Sequence, residues 1–154
     1  KIRKKEDQEL VLRFFALKND IEHYKFPVAE YLTNYLEGIT TQDKPFDYIK
    51  EKDIFDKTFR IINLNLGDSA FSSITKAKNI KNDFVTYLFD GISIAVANLV
   101  DRIDLDQKNV KIEETIYDIK VGSELQAYKT GTLSSLNKRI ELFKKGVENV
   151  IDER

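Results

Sequence analysis

One histidine, His23, and no cysteine are the first constraint on what chemistry this chain can perform. Paired-histidine sites, thiolate nucleophiles, zinc-finger ligand sets and disulfides are excluded together. His23 is followed by Tyr24-Lys25-Phe26-Pro27, which puts the proline one position too late for the His-x-x-Pro of an HNH nuclease. It reads as a surface or helix-end histidine. No GxxxxGK[ST], GxGxxG or GxSxG segment occurs, so the phosphate loop, the dinucleotide fingerprint and the nucleophile elbow are missing as well. Carboxylates cluster at Glu6/Asp7/Glu9, Asp101/Asp104/Asp106, Glu113/Glu114 and Asp152/Glu153. The 101–106 trio is the best metal candidate, since loop carboxylates can gather a hard cation. It lacks the glycine and the distal glutamate of an EF-hand loop, and the expectation is solvated loop charge.

The cations form three clusters: Lys1/Arg3/Lys4/Lys5, Lys76/Lys78/Lys81 and Lys138/Arg139/Lys144/Lys145. Each suits a phosphate. With 25 basic against 26 acidic residues and a formal charge of −1, however, no overall field draws in a polyanion. If nucleic acid binds, the candidates are Thr130, Lys138, Arg139 and Lys145. Lys138 and Lys145 are one heptad apart and share a helix face. Thr130 precedes the helix start, where free backbone amides favour an anion. Glu141 and Glu148 lie nearby and partly cancel the field. Arg13 is different, a single charge inside an apolar run. A buried guanidinium needs a carboxylate or carbonyls, so a structural ion pair is expected.

The elements that must position these residues are helical. Two prolines and six glycines are too little punctuation for an all-β chain. The apolar spacing predicts helices over 7–17, 27–37 (with Gly38 as C-cap), 45–66 (Asp53 a candidate break), 82–100, 111–121 and 132–151, with a further turn near Leu125. The stretch 82–100 carries Phe84, Leu88, Ile92, Ala95 and Leu99 on one face, continued by Ile103. Gly91 inside it costs about 1 kcal/mol relative to alanine, which points to a close helix crossing. The last helix repeats Leu133, Leu136, Ile140, Phe143, Val147 and Val150 at 3-4-3-4-3 spacing. That is too short for a coiled coil and packs onto the domain or a partner. The expected fold is all-α: one compact domain over 1–154, with about five to seven helices.

With 42% hydrophobic residues the chain collapses rather than staying disordered. No apolar run approaches the roughly 20 residues of a membrane span. The basic N-terminus leads into Glu6-Asp7-Gln8-Glu9 and not into a secretory apolar segment. A soluble, cytoplasmic chain is expected. The sequence contains no methionine, and it reads as a piece of a longer protein.

Three stretches resemble the second half of the GmrSD-type, ParB/sulfiredoxin-like proteins, the domain-of-unknown-function 262 family. The most specific is Lys5-Glu6-Asp7-Gln8-Glu9-Leu10-Val11-Leu12-Arg13-Phe14-Phe15-Ala16-Leu17, followed by Tyr24 and Glu30-Tyr31-Leu32-Thr33-Asn34-Tyr35-Leu36. Ala70-Phe71 with Ile80-Lys81-Asn82-Asp83-Phe84-Val85-Thr86-Tyr87-Leu88-Phe89-Asp90 is similar to a second family passage. Thr130, Leu136, Arg139 and Ile140 are similar to its C-terminal element. Together they span nearly the whole chain in the family's order. The catalytic Asp-Gly-Gln-Gln-Arg motif is absent here, as is the HNH half of two-part members. The resemblance therefore implies a non-catalytic C-terminal helical portion, with no cofactor of its own. NTP and magnesium would belong to the N-terminal catalytic domain of the same protein, its implied partner. Members are associated with restriction of foreign DNA, which makes DNA a further implied partner. From a different class comes the alternative: a helical protein–protein interaction module that never meets DNA.

Overall fold

The computed structural model describes the backbone of residues 2–152 and side chains from residue 5 onward. The side chains of Lys1, Arg3, Lys4 and Glu153, counted above among the charge clusters, lie outside the described residues. Among the described residues there are seven α-helices and no strand. They are α1 (Ile2–Asp20), α2 (Val28–Thr40), α3 (Tyr48–Leu66), α4 (Thr86–Ala97), α5 (Val110–Val121), α6 (Ser123–Gln126) and α7 (Leu133–Ile151). A lone antiparallel bridge joins Ile74 to Ile80 in the α3–α4 connection. Among the described residues, no helix is long and apolar enough to cross a membrane.

Several boundaries differ from the expected ones, each for a local reason. Asp7 does not cap α1; it lies inside the helix, which begins in the good helix formers before it. Gly38 does not end α2 but sits within it. A Cβ there would come 2.8 Å from the Lys44 side chain, so this glycine admits the returning loop. The end of α2 is closed instead by the Thr40 and Thr41 hydroxyls, which donate back to the carbonyls of Leu36 and Glu37. Asp47, not Pro45, opens α3 by accepting from the Lys50 amide at 3.1 Å. The helix then passes through Asp53, which pairs with Lys57 one turn on at 2.9 Å. α3 ends at Gly67, whose φ of 65° is a conformation glycine adopts without strain.

α4 is shorter than the periodicity implied. Segment 82–85 is drawn off to pair with 71–73: the Val85 amide donates to the Phe71 carbonyl at 2.9 Å, and Asp83 binds the Ser73 amide at 2.8 Å. Phe84 thus falls outside the helix and stays 52% exposed, a correction to its expected place on the apolar face.

α4 is the hub because it has no polar side facing water: every position from Leu88 to Ala97 is buried. Leu88, Ile92, Ala95 and Val96 face a core shared with α3, α5 and α7, built on Ile61, Ile112, Ile116, Phe143 and Val147. Phe89, Ile94 and Ala97 face a second core with α1, α2 and α7, built on Phe14, Leu17, Tyr31, Leu32, Tyr35, Leu136 and Ile140. At Gly91 a Cβ would lie 2.9 Å from the Phe143 ring, so α4 and α7 cross where the glycine removes a side chain. The apolar stripe of α7 is consumed by these cores, with Ile151 rather than Val150 as its last buried member.

Candidate functional site

A buried ion pair joins α1 to α4. Arg13 donates from Nε to Asp90 Oδ1 and from Nη2 to Asp90 Oδ2, both at 2.6 Å, a two-pronged pair with Asp90 only 1% exposed. Burial pulls the Arg13 guanidinium down, but the hydrogen bonds and charge of Asp90 outweigh it and hold the group above its ordinary value. Both oxygens of the carboxylate are engaged, and the pair locks α1 to α4.

Arg139 requires a correction. It was a candidate phosphate contact, yet it is 2% exposed on the inner face of α7. Its Nη1 donates to the carbonyls of Tyr128 and Thr130, while Nε has no partner. The physical reason is register. Position 139 is three residues after Leu136 and four before Phe143, so it belongs to the buried stripe. That signal was present in the sequence. Lys145 is exposed and pairs with Glu141 at 3.8 Å, one turn back. Lys138 lies over the Tyr128 ring, 5.5 Å from its centre. Thr130 is exposed, its hydroxyl 2.5 Å from that of Ser135 and 3.3 Å from that of Thr132. The four candidates therefore do not form one surface: Thr130 and Lys138 stay near the start of α7, Arg139 lies beneath them, and Lys145 is two turns along the helix.

The acidic trio of the 101–106 loop does not converge. Asp104 accepts from the amides of Asp106 and Gln107 at 2.7 and 2.9 Å, and Asp106 pairs with Arg60. His23 meets Asp20 at the end of α1, with Nδ1 2.5 Å from Oδ1, and Lys44 holds the other oxygen at 2.5 Å. Burial raises the Asp20 carboxyl, but Lys44 and His23 prevail and keep it below the usual carboxylate range. Asp20, Glu22 and His23 bring one ligand atom each within 4.8 Å of one another. The Lys44 ammonium already pairs with the Asp20 carboxylate of that group.

Two features escaped the sequence reading. Lys120 of α5 is buried without a carboxylate, donating instead to the carbonyls of Ala70 at 2.7 Å, Ser72 at 2.9 Å and Ser69 at 3.3 Å. Desolvation pushes its ammonium down to about 8. An unfolded chain keeps that proton up to ~10.4. Between these values the unfolded state binds more protons, so this group makes stability rise with pH by about 1 kcal/mol per unit over the lower part of the window, below tyrosine ionisation. Urea titrations from pH 8 to 9.5 should show that rise. In Lys120→Met it should vanish, and leaving three carbonyls without a donor should cost about 1–3 kcal/mol.

The second feature is a groove of about 560 Å³ between α1 and α2, with Phe46 and Tyr48 also in its lining. Leu12 and Phe15 line it from α1; Leu32, Leu36 and Ile39 line it from α2. Val11, Leu36 and Tyr48 remain 40%, 49% and 71% exposed. Its volume falls in the range of ligand and peptide sites. The stripes on each helix were legible, but their side-by-side placement was not. Compared with known proteins, the chain matches no family model, no curated protein and no solved structure.

Proposed function

We propose that this chain is a non-catalytic helical accessory domain that works by docking. Its resemblance to the second half of GmrSD-type proteins names the partner: the N-terminal catalytic domain of the same protein, which would supply the NTP and magnesium chemistry of a restriction or anti-phage activity. The observation that carries the reading is the α1–α2 groove. Groove residues 5, 8, 12 and 15 of α1 and 29, 32, 36 and 39 of α2 recur at three to four residues. Two such helical ridges make a channel that an apolar segment of a partner fills. The chemistry-bearing side chains support the same reading, since Arg13, Asp90, Arg139 and Lys120 are all committed to internal partners. The alternative, docking of an unrelated protein with no nucleic acid involved, uses the same groove and is favoured by the paired charge of Lys145 with Glu141.

Val11→Glu combined with Leu36→Glu tests the proposal. Both positions are part-exposed, so thermal unfolding should shift little, by about 0.5 kcal/mol or less per site. Co-purification with a GmrSD-type catalytic domain expressed alongside should be lost. If the unaltered chain forms no complex with that domain, the partner is wrong. If the double variant still binds it, the groove is wrong.

A further inference from the structure

We propose that Lys120 forms a Schiff base with a short aliphatic aldehyde held in the cavity between α5 and the α3–α4 connection, a site separate from the α1–α2 groove. The cavity measures about 210 Å³. Leu66, Ile74, Ile80 and Ile116 give it apolar walls, and Lys120 lines it together with Ser69 and Ala70. Glu113 and Tyr117 of α5 complete the lining. The loop side is pinned in place: an antiparallel bridge joins Ile74 to Ile80, and the Tyr117 hydroxyl donates to the Lys78 carbonyl at 3.0 Å.

Lys120 is buried, and its Nζ donates to the carbonyls of Ala70, Ser72 and Ser69 at 2.7, 2.9 and 3.3 Å. Two of these three residues, Ser69 and Ala70, belong to the cavity lining, which places the nitrogen at its wall. No carboxylate among the described residues bonds to it. Glu113, the carboxylate of the lining, is taken by Lys108 at 2.7 Å. Asp83, whose charge Lys120 feels, is held by the amide and the hydroxyl of Ser73. With only neutral dipoles against it, the ammonium is lowered by burial to about 8, which brings the free amine within reach of neutral pH. A neutral amine has two N–H groups for three carbonyls. The longest bond, to Ser69, is the one to lapse, and the nitrogen lone pair then lies on the side of a lining residue. A desolvated amine at the wall of an apolar chamber is the arrangement that activates a Schiff-base lysine. In the step itself the lone pair forms a C–N bond to the aldehyde carbon, and the carbonyl π pair becomes a hydroxyl by taking up a proton from the nitrogen. That hydroxyl leaves as water with the second N–H proton, and the imine remains. Amine and aldehyde thus give imine and water, with no oxidant or reductant. The walls set the substrate class, since they receive an alkyl chain and penalise a charged one.

The experiment treats the whole chain with butanal and sodium cyanoborohydride, which reduces an imine to a stable secondary amine, and reads each lysine by peptide mass spectrometry. Lys76, exposed on the neighbouring loop, is the internal reference. At about pH 7.5 about a quarter of a group titrating near 8 is neutral, against about a thousandth of an ordinary lysine. Lys120 should therefore be alkylated roughly tenfold faster than Lys76 or more, the remaining advantage being lost to its enclosure. Ile80→Trp fills the cavity without touching Lys120, and Ile80 is exposed enough to accept the larger side chain. With an unchanged circular dichroism spectrum, this variant should lose the rapid labelling of Lys120 and keep that of Lys76. Lys120 labelled no faster than Lys76 in the parent, or labelled equally fast in parent and Ile80→Trp, overturns the site.

Discussion

Asp90→Ala lowers the stability of the chain by about 3–5 kcal/mol, the largest loss expected of any single polar substitution here. The substitution strands Arg13 in the interior, 8% exposed, with no second carboxylate bonded to it. A guanidinium that has lost its water and its counter-charge retains the whole desolvation penalty. The same reasoning orders two companions. Arg13→Ala leaves Asp90 uncompensated and should cost a similar amount. Arg13→Met with Asp90→Leu removes both charges and should be less damaging than either single change, because apolar groups of comparable size restore packing. Urea denaturation followed by circular dichroism measures all three, with unchanged slopes indicating that stability alone has moved. A double variant as unstable as the singles would show that the fork positions α1 on α4 in a way packing cannot replace.

Phe143→Ala should cost about 3–5 kcal/mol, since the ring is fully buried at the α4–α7 crossing and its removal leaves a cavity. The partner position offers a sharper test. A methyl group on Gly91 would lie 2.9 Å from Phe143 Cδ2 and 3.0 Å from Cε2. Gly91→Ala gains about 1 kcal/mol of helix propensity and loses about 1–3 kcal/mol to overpacking. In a Phe143→Leu background the clash is relieved, and the same Gly91→Ala change should become neutral or stabilising. A double-mutant cycle reads that coupling directly. Additive effects would mean that the two helices do not bear on each other at this point.

What the sequence determined by itself is the class of the molecule and most of its helices. Local periodicity is enough to mark the apolar stripes of α2, α5 and α7, because a helix buries residues three and four apart whatever it packs against. Gly91 was readable as a crossing, since a glycine inside a strong helix has to be compensated by close contact. The burial of Arg139 is equally legible from its place between Leu136 and Phe143, because register and not residue type decides which face a helical position takes. Tertiary structure alone decided the rest. Arg13 and Asp90 are 77 positions apart, and nothing local selects that carboxylate among the 26 acidic residues. The carbonyl cage of Lys120 is drawn from residues 48–51 positions away, and backbone carbonyls carry no sequence signature. The early start expected for α4 failed because segment 82–85 found better hydrogen bonds at 71–73, a pairing set by the chain's return path and not by its apolar pattern. The groove arises in the same way. Each helix specifies the stripe it presents, but whether two stripes enclose each other or stand open to a partner depends on the angle at which the helices meet, and that angle is fixed by side chains from the entire core.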